Sequence, residues 1–297
     1  MNRFKNRYLN IGCGSRFNRD WINIDIQPKD KSVIPCDILN GISFEENHFD
    51  VVYHSHVIEH IRKDKVQLFL ADCYRILKPG GILRVVAPDL EQITRAYLNC
   101  LQKAYEGKPG WDENYDWMML EMYDQVIREK SGGEIKDFLQ RENIENIEFI
   151  IKRWGIGAEM IINSSGHKVD RIKRTVDIKN SKGHYKRFNI VKKIKKTNIL
   201  EFVRKFAGKL ILGEEYRQYQ NYRTKKIFTE SGELHRWMYD KYSLTKLITS
   251  SGFENVSIMD SQKSNIENWN LMGLDADIKG RVYKPDSIFI EAYKPSV

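Results

Sequence analysis

At 297 residues and 35.1 kDa the chain is long enough for one large domain, or for a core carrying an added lobe. With 41% apolar residues it can bury a real core, and with 30% charged residues it is expected to be soluble. Its longest apolar runs, such as 82–87, stop far short of a membrane span. The opening residues, MNRFKNRYLN, hold no apolar stretch able to act as a signal peptide, so a cytoplasmic protein is expected. Four cysteines (Cys13, Cys36, Cys73 and Cys100) show no CxxC pairing and read as free thiols of a reducing compartment. A structural zinc site is not expected, and no metal ligands are assigned.

The charge is uneven. Between Lys168 and Lys226 there are nineteen Lys or Arg against five Asp or Glu, a net of +14, whereas the whole chain is +9. The basic character belongs to that one segment.

In chain order, RYLNIG (7–12) reads as a short strand running into glycine, and WINIDI (21–26) alternates apolar and polar residues as a second strand. Residues 33–36 and FDVVYH (49–54) are a third and a fourth. Residues 64–77 carry apolar side chains at helical spacing and end in Lys78-Pro79-Gly80-Gly81, a strong stop. A fifth strand follows at 82–87. Strands alternating with helices predict a parallel sheet covered by helices. From Asp89 the alternation ends: 91–106, 115–129 and 133–151 read as helices, 163–186 as loop, and 189–212 as one or two basic amphipathic helices. A helix at 239–251 and strands at 256–260 and 287–293 resume the pattern and can complete the sheet. The expected organisation is therefore a core of 1–88 and 233–297, with a mainly helical, basic lobe of 89–232 inserted after the fifth strand.

A strand leading into Gly12-Cys13-Gly14 lets the backbone turn sharply against a ligand. The dinucleotide fingerprint would want a third glycine at Phe17 and a later acid. Here the acid comes sooner, as Asp25 at the end of the second strand, where a carboxylate can hold both ribose hydroxyls of a nucleoside. Asp37 and Ile38 follow the third strand and suit an adenine amino group and ring face.

In LNIGCG (9–14), Asp25, CDI (36–38), FDVVYHSHVIEHI (49–61) and LKPGGIL (77–83), the chain resembles a class I, Rossmann-like S-adenosylmethionine-dependent methyltransferase. That resemblance implies an α/β fold with a mostly parallel seven-stranded sheet. It also implies S-adenosylmethionine over the carboxyl ends of the first, second and fourth strands. Gly12 and Gly14, with Cys13 between them, would line the methionine moiety, Asp25 with Ile26 the ribose, and Asp37 with Ile38 the adenine. His54, Ser55 and His56 would lie near the sulfonium. WMMLEMYDQVIREKSGGEI (117–135) and GELHRWMYDKYSLTKLITSSGF (232–253) look like a bacterial subfamily associated with surface-polysaccharide biosynthesis. One departure stands out: seven residues between Gly14 and Ile22 are too few for the usual first crossover helix, so the amino terminus or the inserted lobe is expected to cover that end of the cofactor.

Methyl transfer to a sugar hydroxyl calls for a general base, and histidine suits that role near neutral pH. His235 and His56 are the candidates, ahead of His54 and His60. Glu59 and His60 read as a helix cap or packing pair, with substrate or metal contact as the alternative. Asp124, Gln125 and Arg128, with Tyr239, form a candidate acceptor face; the simpler reading of Asp124 and Arg128 is a solvated i,i+4 ion pair.

The leading expectation is an O-methyltransferase acting on a small or lipid-linked saccharide acceptor in cell-surface glycan assembly. The basic segment is either solvated surface or a peripheral contact with an anionic membrane face or a glycosyltransferase partner. A nucleic-acid partner is not expected. An RNA or protein methyltransferase, and a non-catalytic partner in a glycan-assembly complex, stand as the other readings.

Overall fold

Seven strands form one twisted sheet in the order β3-β2-β1-β4-β5-β7-β6 in the computed structural model of the chain. The strands are β1 (Tyr8–Ile11), β2 (Ile22–Asp25), β3 (Ile34–Pro35), β4 (Phe49–Ser55), β5 (Leu77–Pro88), β6 (Glu254–Met259) and β7 (Ser287–Tyr293). All ladders from β3 through β5 are parallel, and β7 runs antiparallel between β5 and β6. The structure describes residues 7–164 and 232–296, together with residues 214, 218, 222 and 228. The basic run and the helices expected at 189–212 therefore lie almost wholly outside the described residues.

Period-two burial gives the sheet two different faces. Leu9 and Ile11, Val52, Leu83 and Val85, and Ile288 and Ile290 point to one side. There α1 (Val66–Ile76) and α6 (Lys241–Ser250) cover them with Phe69, Leu70, Cys73, Leu244 and Ile248. Tyr8, Val51, Tyr53, Val86 and Phe289 point to the other side. No described helix packs there in the place of a first crossover. Trp21, Ile266, Trp269, Met272 and Leu274 close that face instead.

Among the described residues the stretch 261–283 covers the sheet face on which a first crossover helix is missing. It is tied to the short β1–β2 loop. The Arg16 guanidinium donates to the Leu274 carbonyl at 3.3 Å and stacks 3.8 Å from the Tyr283 ring centroid, and Asn18 reaches the Met272 sulfur.

A buried guanidinium anchors this stretch. Arg84 of β5 donates to Asp275 from Nε (2.9 Å) and Nη2 (2.7 Å), to Glu291 from Nη1 (2.7 Å), and to the carbonyls of Lys263 and Asp260. Tyr53 and Asn265 donate to the remaining oxygens of the two acids, and Ser264 donates to the Glu291 oxygen that Arg84 also reaches. Every donor of the fork is used, which is the condition under which a buried charge is tolerated.

The chain leaves the sheet at Asp89 and returns at Tyr239, and these two residues bridge each other in parallel, with the Leu90 N–H donating to the Tyr239 carbonyl at 2.8 Å. Between them lie α2 (Leu90–Tyr105), α3 (Asp112–Ile127), α4 (Gly133–Leu139) and α5 (Ile147–Ser164). They pack around Trp117, Met118, Leu139, Ile150 and Trp154. Where 133–151 reads as one helix in the sequence, α4 ends at Leu139 and α5 begins at Ile147. Residues 163 and 164, expected as loop, close α5. α5 kinks at Gly155, whose φ of 55° favours glycine, and any Cβ there would collide with the Val282 carbonyl. No described helix is long and apolar enough to cross a membrane.

Removing one acid from the Arg84 cluster leaves an uncompensated buried charge. Glu291→Ala is expected to cost about 3–5 kcal/mol of stability, read from urea unfolding followed by circular dichroism. A loss below about 1 kcal/mol, the range of an exposed ion pair, would show that the cluster does not fasten 261–283.

Candidate active site

The carboxyl ends of β1, β2 and β3 open on a cleft of about 570 Å³, within the usual range for small-molecule sites of about 300–1,000 Å³. Gly12, Gly14, Asp25, Ile26, Asp37 and Ile38 form its core-side wall. The turn after β1 is built by two left-handed glycines, Gly12 (φ 63°) and Gly14 (φ 57°), and the Gly12 amide donates to the Ile24 carbonyl at 2.8 Å. A Cβ on Gly12 would stand 2.5 Å from Val57 Cγ2, so both conformation and space demand glycine there.

Asp25 is held by two backbone amides: Gly14 N–H donates to Oδ2 at 2.8 Å and Gln27 N–H to Oδ1 at 2.7 Å. A carboxylate carries about four lone-pair sites, so both oxygens can still accept from a diol. Asp37 caps the 3-10 turn Ile38–Asn40, accepting from the Leu39 N–H at 3.0 Å and from the Asn40 side chain at 2.9 Å. It therefore does the turn former's work and lines the cleft as well.

The far wall comes from β4's exit and from the helices after β5. His56, at φ 55°, and His60 line it, together with Arg128, Ser131 and Gly132. Arg128 is oriented from behind by Asp124, 3.0 Å away, whose Oδ1 also accepts the Glu134 N–H at 2.6 Å. Both Asp124 and Arg128 side chains are buried, so the pair is no solvated surface bridge. Gly133 is glycine because any Cβ would collide with the Asp124 carboxylate.

Several expected contacts sit off the cleft. Cys13 is buried, and burial with the Asp25 charge pushes its thiol up to about 11. His54 is buried in the sheet and makes a T-shaped contact with Phe69, so it faces the α1 layer; Ser55 is likewise not on the wall. Gln125 contributes its backbone carbonyl, which accepts the His235 N–H at 2.9 Å. Tyr239 belongs to the core, its buried hydroxyl without a partner among the described residues; burial and the Glu59 charge raise it to about 12.

His235 stands one residue back from the wall, with its ring centroid 4.9 Å from that of His60. Burial lowers it to about 3, so it is a neutral imidazole at neutral pH. The residue that sequence reasoning undervalued is Glu59, in the 3-10 turn Ile58–His60. Only 1% exposed, its Oε1 lies 3.0 Å from His56 Nδ1 and 3.9 Å from His60 Nε2. Burial alone would raise this carboxyl, but the His56 contact and the neighbouring imidazoles outweigh it and hold it at about 2. Because His235 is itself neutral, His56 is the chief partner.

Residues 9–85, the stretch that supplies β1 to β5 and most of the cleft, match the family model described as a methyltransferase domain. The ubiquinone/menaquinone biosynthesis C-methyltransferase UbiE of Psychromonas ingrahamii is 31% identical over 126 residues, 39% of this chain and 47% of that protein. The chain thus spans about half the length of this relative. Among solved structures, an S-adenosylmethionine-dependent methyltransferase from Archaeoglobus fulgidus aligns over 97% of this chain and 86% of its own, at 12% identity and a TM-score of 0.37. A methyltransferase from Thermotoga maritima, described as a possible histamine N-methyltransferase, aligns over 98% and 83% at 13% identity and a TM-score of 0.36.

His54 yields a test of acid stability. Desolvation lowers it to about 4, so below its ordinary value of 6.5 the unfolded chain binds a proton that the fold refuses. The corresponding stability is complete above about pH 6.5 and falls, by up to about 3 kcal/mol, as the pH drops toward 4. His54→Leu is expected to flatten that part of the profile measured by urea unfolding at successive pH values; an unchanged slope would place the sensitivity in other groups.

Proposed function

We propose that the chain is an S-adenosylmethionine-dependent methyltransferase whose acceptor is a saccharide hydroxyl. The observation that carries the cofactor half is the arrangement of Gly12, Gly14, Asp25, Asp37 and Ile38 along one wall of a single cleft. Asp25 would take the ribose hydroxyls, and Ile26 and Ile38 would sandwich the base edge beside Asp37. The match of residues 9–85 to a methyltransferase domain supports the same reading.

The acceptor half rests on the opposite wall. Arg128, Ser131, Gly132, Glu233 and His60 give it a polar, mixed-charge lining suited to a polyhydroxyl acceptor. Attack on the methyl group is an in-line displacement, so orientation supplies most of the rate and a base removes the hydroxyl proton. His56 is the base in this reading. It is on the wall, its Nδ1 faces the Glu59 carboxylate, and its Nε2 lies 3.0 Å from Ser287 Oγ, a hydroxyl able to relay a proton. His235, buried and held low, serves the architecture around it. The lobe of helices α2 to α5 is the acceptor-facing part, and a lipid-linked acceptor, membrane contact or glycosyltransferase partner would engage the basic run beyond it.

Isothermal titration with S-adenosylhomocysteine tests the cofactor. Asp25→Ala is expected to weaken binding about 10–100-fold, since a hydrogen bond to a charged group is worth about 1.5–3 kcal/mol. Wild-type protein that binds no cofactor would reduce the fold to a non-catalytic partner.

His56→Asn keeps a residue that tolerates the left-handed backbone while removing the base. It is expected to lower kcat by about 10²–10⁴ with little change in cofactor affinity; an undiminished kcat would exclude His56. Radiolabelled methyl transfer to glycan intermediates, RNA and protein in parallel decides the acceptor, and label in RNA or protein alone would overturn the saccharide claim.

A further inference from the structure

We propose that Glu59, His60 and His235 form a site for one divalent transition-metal ion, with an open coordination position toward the cleft. Each residue offers one ligand atom, and the three atoms lie within 4.8 Å of one another. Small side-chain rotations bring such a set to the metal–ligand distances of about 2.0–2.2 Å that nitrogen and oxygen donors adopt.

The need for a cation is written into Glu59. The carboxylate is almost fully buried; its Oε1 meets His56 Nδ1 at 3.0 Å, and among the described residues its Oε2 has no hydrogen-bond partner. A buried carboxylate in that state is costly unless a positive charge meets it. The nearest nitrogen of the chain is His56 Nδ1, 3.0 Å from Oε1. His56 Nδ1 and His60 Nε2 approach the same oxygen, Oε1, at 3.0 and 3.9 Å, so an ion beside His60 would share that oxygen with His56 unless the carboxylate turns to offer Oε2.

The imidazoles are prepared as ligands. His60 Nδ1 lies 3.1 Å from the Leu234 carbonyl oxygen. A carbonyl only accepts, so Nδ1 carries the proton, and the lone pair sits on Nε2, the nitrogen 3.9 Å from Glu59. A backbone carbonyl that fixes the tautomer and tilt of an imidazole in this way is the usual outer partner of a metal-bound histidine.

The donors are also held in register across a long sequence gap. The amides of Arg236 and Trp237 donate to the Glu59 carbonyl at 2.6 and 3.2 Å, and the His235 amide donates to the Gln125 carbonyl at 2.9 Å. The segment bearing His235 is thereby stitched to the turn bearing Glu59 and His60, and to α3.

Two imidazoles and one carboxylate suit zinc, manganese, cobalt or ferrous iron better than calcium or magnesium. Three protein ligands leave room for a further oxygen, and His60 itself is on the cleft wall. An acceptor hydroxyl bound there would become more acidic, which eases transfer of its proton to His56. That last role rests on the methyl-transfer reading; binding of the ion does not.

The test uses the full chain, stripped with a chelator and titrated separately with Zn²⁺ and Co²⁺. One ion per chain is expected, with visible Co²⁺ bands of a low-symmetry site containing nitrogen donors. Glu59→Gln and His235→Ala should each weaken binding at least ~10-fold and abolish those bands. His235→Gln, which keeps size and polarity, guards against misfolding in the alanine variant. S-adenosylhomocysteine affinity, measured in the same samples, should survive in the variants. Wild-type protein that binds the homocysteine ligand but no metal, or variants that bind metal like wild type, would overturn the site and leave Glu59 as an internal ion pair with His56. Metal bound without any nucleoside binding would support the site while sinking the cofactor reading, so the two failures are distinct.

Discussion

The Arg84 guanidinium is the constraint on which the cleft's near wall depends. It sits on β5 with no solvent exposure and gathers Glu291 from the neighbouring β7, and Asp275 with two backbone carbonyls from a stretch with almost no regular structure. Fully satisfied in this way, a buried charge specifies one arrangement, because any other packing would strand it. The stretch it fixes carries Trp269, which lies under the guanidinium at 4.4 Å, and Met272 and Leu274, which fill the face a crossover helix would otherwise cover. Arg16 and Asn18 then rest on that same stretch. The turn containing Gly12 and Gly14 is supported from below by residues more than two hundred positions away.

This explains which parts of the molecule were legible in the sequence. Strands β1, β2, β4 and β5 announce themselves by short apolar runs and by the glycines that follow them, and α1 by its spacing and its Pro79-Gly80-Gly81 end. That Gly12, Asp25 and Asp37 would share one cleft was readable because each stands at a strand's carboxyl end, the edge on which a parallel sheet opens its crevice. The cover at 261–283 was not readable. Its apolar residues follow neither period two nor 3.6, and they make sense only against Arg84 and Asp275. His54 misleads for a simpler reason. It is next to the strand end in sequence, but alternation turns it toward Phe69 rather than toward the cleft.

Glu59, His60 and His235 sit at the other extreme of legibility. The first two stand in a motif whose plainest reading is packing, and the third comes from beyond the whole inserted segment. Only the return of the chain beside β5 brings them together, through amides that donate to the Glu59 and Gln125 carbonyls. Burial then does two things at once: it leaves the Glu59 carboxylate short of partners, and it keeps His235 neutral. A buried carboxylate set among imidazole nitrogens is an arrangement able to hold a cation.

The bridge between Asp89 and Tyr239 has a consequence for how the chain can change over time. Because the inserted segment begins and ends at one hydrogen-bonded pair, the sheet experiences it as a single closed loop. The entropy of closing such a loop grows only with the logarithm of its length. Residues can be gained or lost inside it with little penalty to the seven strands, provided the pair itself is kept. The sheet and the inserted helices are therefore free to diversify at different rates, and the wall that the insertion adds to the cleft can change without rebuilding the sheet.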